Sequence, residues 1–166
     1  ISACLVGSEM CIRDRYQSDT GMLMARYPQP TAQAAYLDDS SPNLGAIYEN
    51  VIAQELTAQG IPLYYYMAKK HGEVDFIADT NADSVMPFEV KSGRSYRTHA
   101  AIDAVLANAE YRISQGVVLS RSNIAQDGGT TYLPLYATYC LRDVCNLASP
   151  STVSTIGDFS LTVHPV

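Results

Sequence analysis

The chain has 166 residues, of which 47% are hydrophobic and 17% are charged, a composition typical of a single globular domain. It contains no apolar run of about 18 residues, the length that a membrane span requires. The net charge of −6, from 11 Lys and Arg against 17 Asp and Glu, argues against a broad nucleic-acid-binding surface and leaves only a local basic patch.

The cysteines indicate a reducing compartment. Cys4, Cys11, Cys140 and Cys145 form no CxxC pair and have no histidine at zinc-finger spacing. We therefore expect no zinc site, and we expect the thiols to be reduced, as in a cytoplasmic protein.

Residues 4–15, CLVGSEMCIRDR, lack a hydrophobic period and a helix cap, and their apolar run is too short for a signal peptide. This segment resembles the translation of a transposase adapter used to prepare sequencing libraries. We therefore expect residues 1–15 to be an artefact and the natural sequence, truncated upstream, to begin near Tyr16. A natural disordered leader is the alternative.

Residues 16–42 predict a short helix followed by a loop. In the next segment, NLGAIYENVIAQELTAQG, apolar residues recur at helical spacing from Leu44 to Leu56, and Gly60 supplies a stop. The sequence therefore predicts a long helix here, with Glu49 beside its apolar stripe.

Three strand-like runs follow, IPLYYYM, EVDFIAD and VMPFEVKSG, and polar turns join them. Such runs predict an antiparallel meander. In the second run we expect Val74, Phe76 and Ala78 to share one face of the sheet, opposite Asp75 and its neighbours.

The segment THAAIDAVLANAEY predicts a second helix with Thr98 as its N-cap. GVVLS then predicts a fully buried strand, entered through a crossover, and TYLPLYATYCL a further strand. This order predicts an α/β domain over residues 16–141, with a mixed sheet flanked by helices. Residues 142–166 form a weakly patterned tail.

Glu89 and Lys91 in MPFEVKSG stand two residues apart and so share a face of their strand. Asp75 lies on the neighbouring strand of the meander, within reach of Glu89. Adjacent carboxylates raise each other's pKa unless a cation lies between them, and Mg²⁺ binds through one or two carboxylates while keeping several waters. The pattern therefore predicts a metal site with Asp75 and Glu89 as ligands. An ordinary surface ion pair is the alternative reading of Glu89 and Lys91.

The order of Glu on a helix, Asp on a strand and Glu-x-Lys on the next strand resembles the PD-(D/E)xK nuclease superfamily. The resemblance implies a restriction-endonuclease-like core and a Mg²⁺ or Mn²⁺ ion held by Asp75 and Glu89. It also implies that Lys91 orients or activates the water and that Glu49 completes the catalytic site. Val-Asp stands here where Pro-Asp is usual.

Segments between residues 16 and 140, among them GAIYENVIAQEL, EVDF and EVKSG, resemble the uncharacterised C-terminal domain of a family of P-loop ATPases. This resemblance implies an ATPase domain as a partner that precedes this one. The chain itself has no GxxxxGK[ST] motif, so no ATP site is assigned to it. The predicted function is metal-dependent phosphodiester hydrolysis. The alternatives are a nucleic-acid or protein docking module without turnover, and a purely structural domain.

Basic residues flank the predicted site. Lys69 and Lys70 lie in the first turn of the meander, and Arg94 and Arg97 precede the second helix, whose N-terminus attracts anions. We predict that these four residues contact phosphates of DNA or RNA. Two solvated turns are the alternative.

Overall fold

The computed structural model describes residues 16–37, 43–68, 72–82, 84–93, 95–148 and 164–165. The segment predicted to be an artefact, residues 1–15, lies outside these ranges, as do three of the predicted phosphate contacts, Lys69, Lys70 and Arg94. In the described part of the chain, no helix is long and apolar enough to cross a membrane.

The long helix, the three-strand meander, the second helix and the buried strand follow one another in the predicted order, but a second short helix lies in the part of residues 16–42 that was predicted to be a loop. The helices are α1 (Thr20–Met24), α2 (Gln29–Tyr36), α3 (Gly45–Ala58), α4 (Ala100–Ala107) and α5 (Leu141–Val144). The strands are β1 (Tyr64–Ala68), β2 (Gly72–Asp79), β3 (Val85–Lys91), β4 (Gly116–Ser120), β5 (Ala125–Asp127), β6 (Thr130–Pro134) and the two-residue β7 (His164–Pro165). Short 3₁₀ helices cover Ala109–Tyr111 and Leu135–Cys140.

The strands form one mixed sheet in the order β5-β6-β4-β3-β2-β1-β7. The antiparallel meander β1-β2-β3 is confirmed, and α4 is the crossover that brings β4 parallel to β3. β6 continues the parallel part beside β4, while β5 closes that edge in the antiparallel sense. The prediction of an α/β domain with a mixed sheet flanked by helices is therefore confirmed.

Each face of the sheet carries its own apolar core. On the α3 side, Ile52 and Leu56 of the helix pack with strand residues that include Phe76, Phe88 and Leu119. On the α4 side, Ile102 and Val105 pack with strand residues that include Val74, Ile77 and Val118. Because the sheet is covered on both faces, β4 is buried along its whole length, as its apolar sequence predicted.

A β-bulge in β2 breaks the alternation that the sequence predicted. Tyr64 of β1 pairs with Ile77, and Tyr66 pairs with Val74. An advance of two residues along β1 therefore corresponds to three residues along β2, which contains the extra residue of the bulge. Val74 consequently packs on the α4 side, whereas Phe76 and Ala78 pack on the α3 side. The predicted grouping of these three residues on one face is wrong, because the extra residue of the bulge shifts the pleat by one position.

Two element boundaries also differ from expectation. The N-cap position of α4 is His99 and not Thr98, and no side chain caps this helix end. The last predicted strand ends at Pro134 and continues as a 3₁₀ helix. The packed structure also extends past residue 141, where the sequence predicted a weakly patterned tail, because Cys145 and Leu147 are buried in the core on the α3 side.

Candidate active site where two strands separate

The predicted site residues lie where β2 and β3 part. The two strands pair from Asp79↔Val85 to Phe76↔Phe88 and no further. Past that point Glu89 and Lys91 pair only with β4, while the first residues of β2 pair only with β1. We call Asp75, Glu89, Lys91 and the adjacent Glu49 of α3 the fork.

Asp75 is held at the point of separation by the backbone of the neighbouring strand. The Val90 N–H donates a hydrogen bond of 2.7 Å to Asp75 Oδ2, in place of a ladder bond between the two strands. The bulge in β2 accompanies this arrangement, and bulges commonly re-aim side chains in this way. Residues that are distant in sequence, Asp75 and Val90, are thereby fixed relative to each other.

The pKa of Asp75 is raised from 3.8 to about 7. Burial is the largest cause, and the negative charges of Glu49 and Glu89 raise this pKa further. The Val90 hydrogen bond and the Lys91 charge lower it, but they do not compensate. Asp75 is therefore a carboxyl group that changes its charge near neutral pH, because burial outweighs the nearby positive charge of Lys91.

Glu89 and Lys91 stand side by side as predicted, and they form an ion pair through Glu89 Oε1. The Glu89 side chain is only 8% exposed and that of Lys91 is 31% exposed, so this is not an ordinary surface pair. The second carboxylate oxygen, Glu89 Oε2, is buried and accepts no hydrogen bond from the protein. Because burying a carboxylate oxygen without a donor is costly, this oxygen is the part of the pair that is available to a cation or a hydrogen-bond donor.

Glu49 approaches the fork from the α3 side, where its charge acts on Asp75. Val90 packs in the core on that side, so strand alternation directs Glu89 and Lys91 toward the α4 side. Within the described ranges, no group of three or more His, Cys, Asp or Glu side chains could hold a metal ion. Glu49 therefore does not form a three-carboxylate group with Asp75 and Glu89.

Asp75 and Glu89 are of the residue type that a hard divalent cation binds. Mg²⁺ and Mn²⁺ prefer oxygen ligands, and Mg²⁺ is commonly bound by one or two carboxylates plus waters. Glu89 offers the buried oxygen that has no partner, and Asp75 offers a carboxyl group whose pKa a nearby cation would lower. Asp75 and Glu89 are thus the residues of the fork that could hold such an ion.

Arg97 is the one predicted phosphate contact that the structure describes. Its guanidinium carbon lies 5.7 Å from the ring centre of Tyr96 and 5.3 Å from that of Tyr132. Its side chain is 60% exposed, and Nη1 lies 3.7 Å from Asp127 Oδ2.

Two polar clusters were missed by the sequence reasoning. One joins buried His99 to Tyr132 and Asp103. The other centres on Asn50, directly after Glu49, and only a weak signal pointed to it: a polar residue three positions from apolar Ile47 and Ala53, on what becomes the buried face of α3.

The Asn50 cluster ties the start of the described chain to α3. Asn50 Oδ1 accepts from the Gln17 N–H at 2.6 Å, while Nδ2 donates to the Gln17 carbonyl and to Thr20 Oγ1. Gln54 Oε1 accepts from both the N–H and the hydroxyl of Thr20. The ring of Tyr16 packs against Phe76, which follows Asp75 in β2. The chain before α1 is therefore fixed close to the fork.

Comparison with known proteins places the chain in a family of domains. Residues 44–138, more than half of the chain, match the model of a family described as a domain of unknown function, DUF4143. This family is commonly found in ATPase-associated proteins. No curated protein and no solved structure matches the chain significantly.

Proposed function

The chain belongs to the DUF4143 family, and we propose that the fork makes this member a metal-dependent phosphodiester hydrolase. Its substrate class is nucleic acid, and its core is of the restriction-endonuclease-like type. Asp75 and Glu89 hold Mg²⁺ or Mn²⁺. The domain works beside a P-loop ATPase domain, as the resemblance of the sequence implies.

The observation that supports this proposal most is the state of Glu89. One of its oxygens pairs with Lys91, and the other is buried without a hydrogen-bond donor, although the charge of a second carboxylate, Asp75, acts nearby. Structural ion pairs normally satisfy both oxygens, because an unsatisfied buried charge destabilises the fold. Such an arrangement is explained if the carboxylates serve a ligand.

Each residue then has a distinct role. A bound cation would neutralise charge on the phosphodiester and favour ionisation of the attacking water. Lys91, which is partly exposed, orients that water by donating a hydrogen bond from its ammonium group. Glu49 assists from the α3 side by adding negative charge near Asp75. The water loses a proton to solvent as its oxygen forms a bond to phosphorus, the bond to the leaving oxygen breaks, and the leaving oxygen takes up a proton from solvent.

The state of Asp75 makes metal binding depend on pH. A metal ligand must be deprotonated, and the pKa of Asp75 is about 7. Metal affinity should therefore rise between pH 5.5 and pH 8, a range centred near that pKa.

Calorimetric titration of Mg²⁺ and Mn²⁺ at these two pH values tests the proposal. We expect binding to the wild type and to Asp143→Asn, a control that removes an exposed carboxylate from α5. Asp75→Asn and Glu89→Gln should abolish binding. Lys91→Ala should retain it but lose Mn²⁺-dependent cleavage of DNA or RNA. Folded wild type that binds neither ion at pH 8 would refute the metal site.

A docking module without turnover is the second candidate. It is favoured by the finding that no three metal-capable side chains group together in the described ranges, and by the net charge of −6. In that case the wild type would bind its ATPase partner or a nucleic acid, and neither metal addition nor the Lys91→Ala change would alter that binding.

A further inference from the structure

Arg97 stands on a platform of aromatic rings on the α4 side of the sheet. Tyr96 and Tyr132 meet edge to face, with ring centres 5.7 Å apart, and the guanidinium lies over both rings. Stacking of this kind restricts the orientation of a long side chain that would otherwise sample many rotamers. The guanidinium is thus placed in advance while its side chain stays 60% exposed.

The platform is itself fixed by a buried hydrogen bond. Tyr132 is 2% exposed, and its hydroxyl lies 2.6 Å from His99 Nε2, so one of the two groups donates to the other. His99 is also buried, and its Nδ1 lies 2.9 Å from Asp103 Oδ1 without the geometry of a hydrogen bond. The contact with His99 therefore holds the ring on which Arg97 rests.

Asp127 occupies the place that an anionic ligand would take on Arg97. Its carboxylate lies 3.7 Å from Arg97 Nη1, and its side chain is 72% exposed. A surface pair at this distance is weak, because water and salt screen it and both side chains lose freedom when they pair. Asp127 can therefore be displaced readily by a phosphate, which matches the planar fork of a guanidinium.

The platform and two residues of the fork, Glu89 and Lys91, lie on the same side of the sheet. Glu89 is in register with Val118 of β4, and Val118 with Tyr132 of β6. Two strand spacings, about 10 Å, thus separate the backbones of Glu89 and Tyr132. An oligonucleotide held at the fork could span that distance.

We propose that Arg97 contacts a backbone phosphate of bound nucleic acid and that Asp127 competes with that phosphate for the guanidinium. The choice of nucleic acid as ligand rests on the function proposed above. The contact itself involves no metal ion, so it can be tested when the divalent cations are removed.

Fluorescence anisotropy with a labelled single-stranded DNA, and with an RNA of the same sequence, measures the contact in EDTA at low salt. Asp127→Asn should tighten binding about three- to tenfold, and Arg97→Gln should weaken it by a similar factor and reduce the salt slope by about one. Arg97→Lys keeps the charge but not the stacked plane, so it should keep the slope and lose part of the affinity.

Asp143→Asn is the matched control, since it removes the same charge from an exposed position on α5, which packs with the core on the α3 side. Equal tightening by Asp127→Asn and Asp143→Asn would reduce the effect to net charge and overturn the inference. Unchanged binding in Arg97→Gln, or no binding of either probe, would also overturn it. Equal affinity for DNA and RNA supports phosphate recognition, whereas binding of RNA alone indicates 2′-hydroxyl recognition and counts against it.

These results are independent of the metal site. Loss of metal binding in the calorimetric titration would leave the anisotropy prediction unchanged, and failure of the Arg97 variants would leave the metal site standing. The two proposals can therefore fail separately.

Discussion

Two adjacent residues of α3, Glu49 and Asn50, belong to two polar clusters that differ in how completely their polar groups are hydrogen-bonded. Asn50 is 1% exposed, and its amide makes three hydrogen bonds to Gln17 and Thr20. Glu49 adds charge to the fork, where Asp75 has a raised pKa and one oxygen of Glu89 has no donor. The Asn50 cluster stabilises the fold because its hydrogen bonds are complete, whereas the fork lowers the stability of the fold.

This difference separates structural from functional polarity. A buried polar group contributes to stability when its partners are complete, and it destabilises the fold when they are not. A cluster that costs stability is a candidate for function, because structural needs alone do not account for it. The comparison predicts that substitutions in the two clusters change stability in opposite directions.

The largest effect is expected from Asp75→Asn. The folded-state pKa of about 7 lies above the ordinary value of 3.8, so the unfolded chain loses this proton first and stability falls as pH rises from 4 to 7. At about 1.4 kcal/mol per pKa unit, the Asp75 carboxyl should cost roughly 4 kcal/mol at pH 8. Asparagine keeps an acceptor for the Val90 N–H and removes this cost.

Urea unfolding of the wild type and of Asp75→Asn at pH 4 and pH 8 measures the cost of the Asp75 carboxyl group to stability. The variant should gain stability relative to the wild type as pH rises. A difference between the two proteins that stays constant across this range would show that Asp75 titrates normally in the folded protein.

Asn50→Ala should act in the other direction, with a loss of about 3 kcal/mol, because it leaves the Gln17 backbone groups and the Thr20 hydroxyl without their buried partner. Val51→Ala, at an exposed position of the same helix, is the control and should change stability little. Equal losses in both variants, measured by urea unfolding at one pH, would contradict the role given to the amide.

Thr20→Val should cost about 1 kcal/mol, since the methyl group preserves shape but removes the hydroxyl that bridges Asn50 and Gln54. Hydrogen exchange should become faster at the amides of Gln17 and Thr20, which these side chains hold, while exchange in β4 stays unchanged. Uniformly faster exchange would instead indicate global destabilisation.

The smallest effect concerns the charges around Asp75. Glu49→Gln and Glu89→Gln each remove a negative charge that raises the pKa of Asp75, and the Glu49 charge has the larger influence. Both variants should lower this pKa by some tenths of a unit, with Glu49→Gln lowering it more. Carbon-detected NMR titration of the Asp75 carboxyl checks the order, and a rise in either variant would contradict it.

Local patterns were enough for much of the fold. The apolar spacing in α3, the polar turns of the meander and the continuous apolar run of β4 each reflect one element and its burial, so they could be identified from neighbouring residues. The same logic placed Glu89 and Lys91 side by side, because residues two apart in a strand share a face.

The sequence by itself thus determined the order and type of the main elements, together with the pairing of Glu89 with Lys91. Tertiary structure alone decided the bulge that turns Asp75 toward Val90, the unsatisfied oxygen of Glu89 and the platform under Arg97. Each of these depends on contacts between strands or loops far apart in the chain. Spacing along one element cannot report such contacts, because they arise only when the sheet assembles.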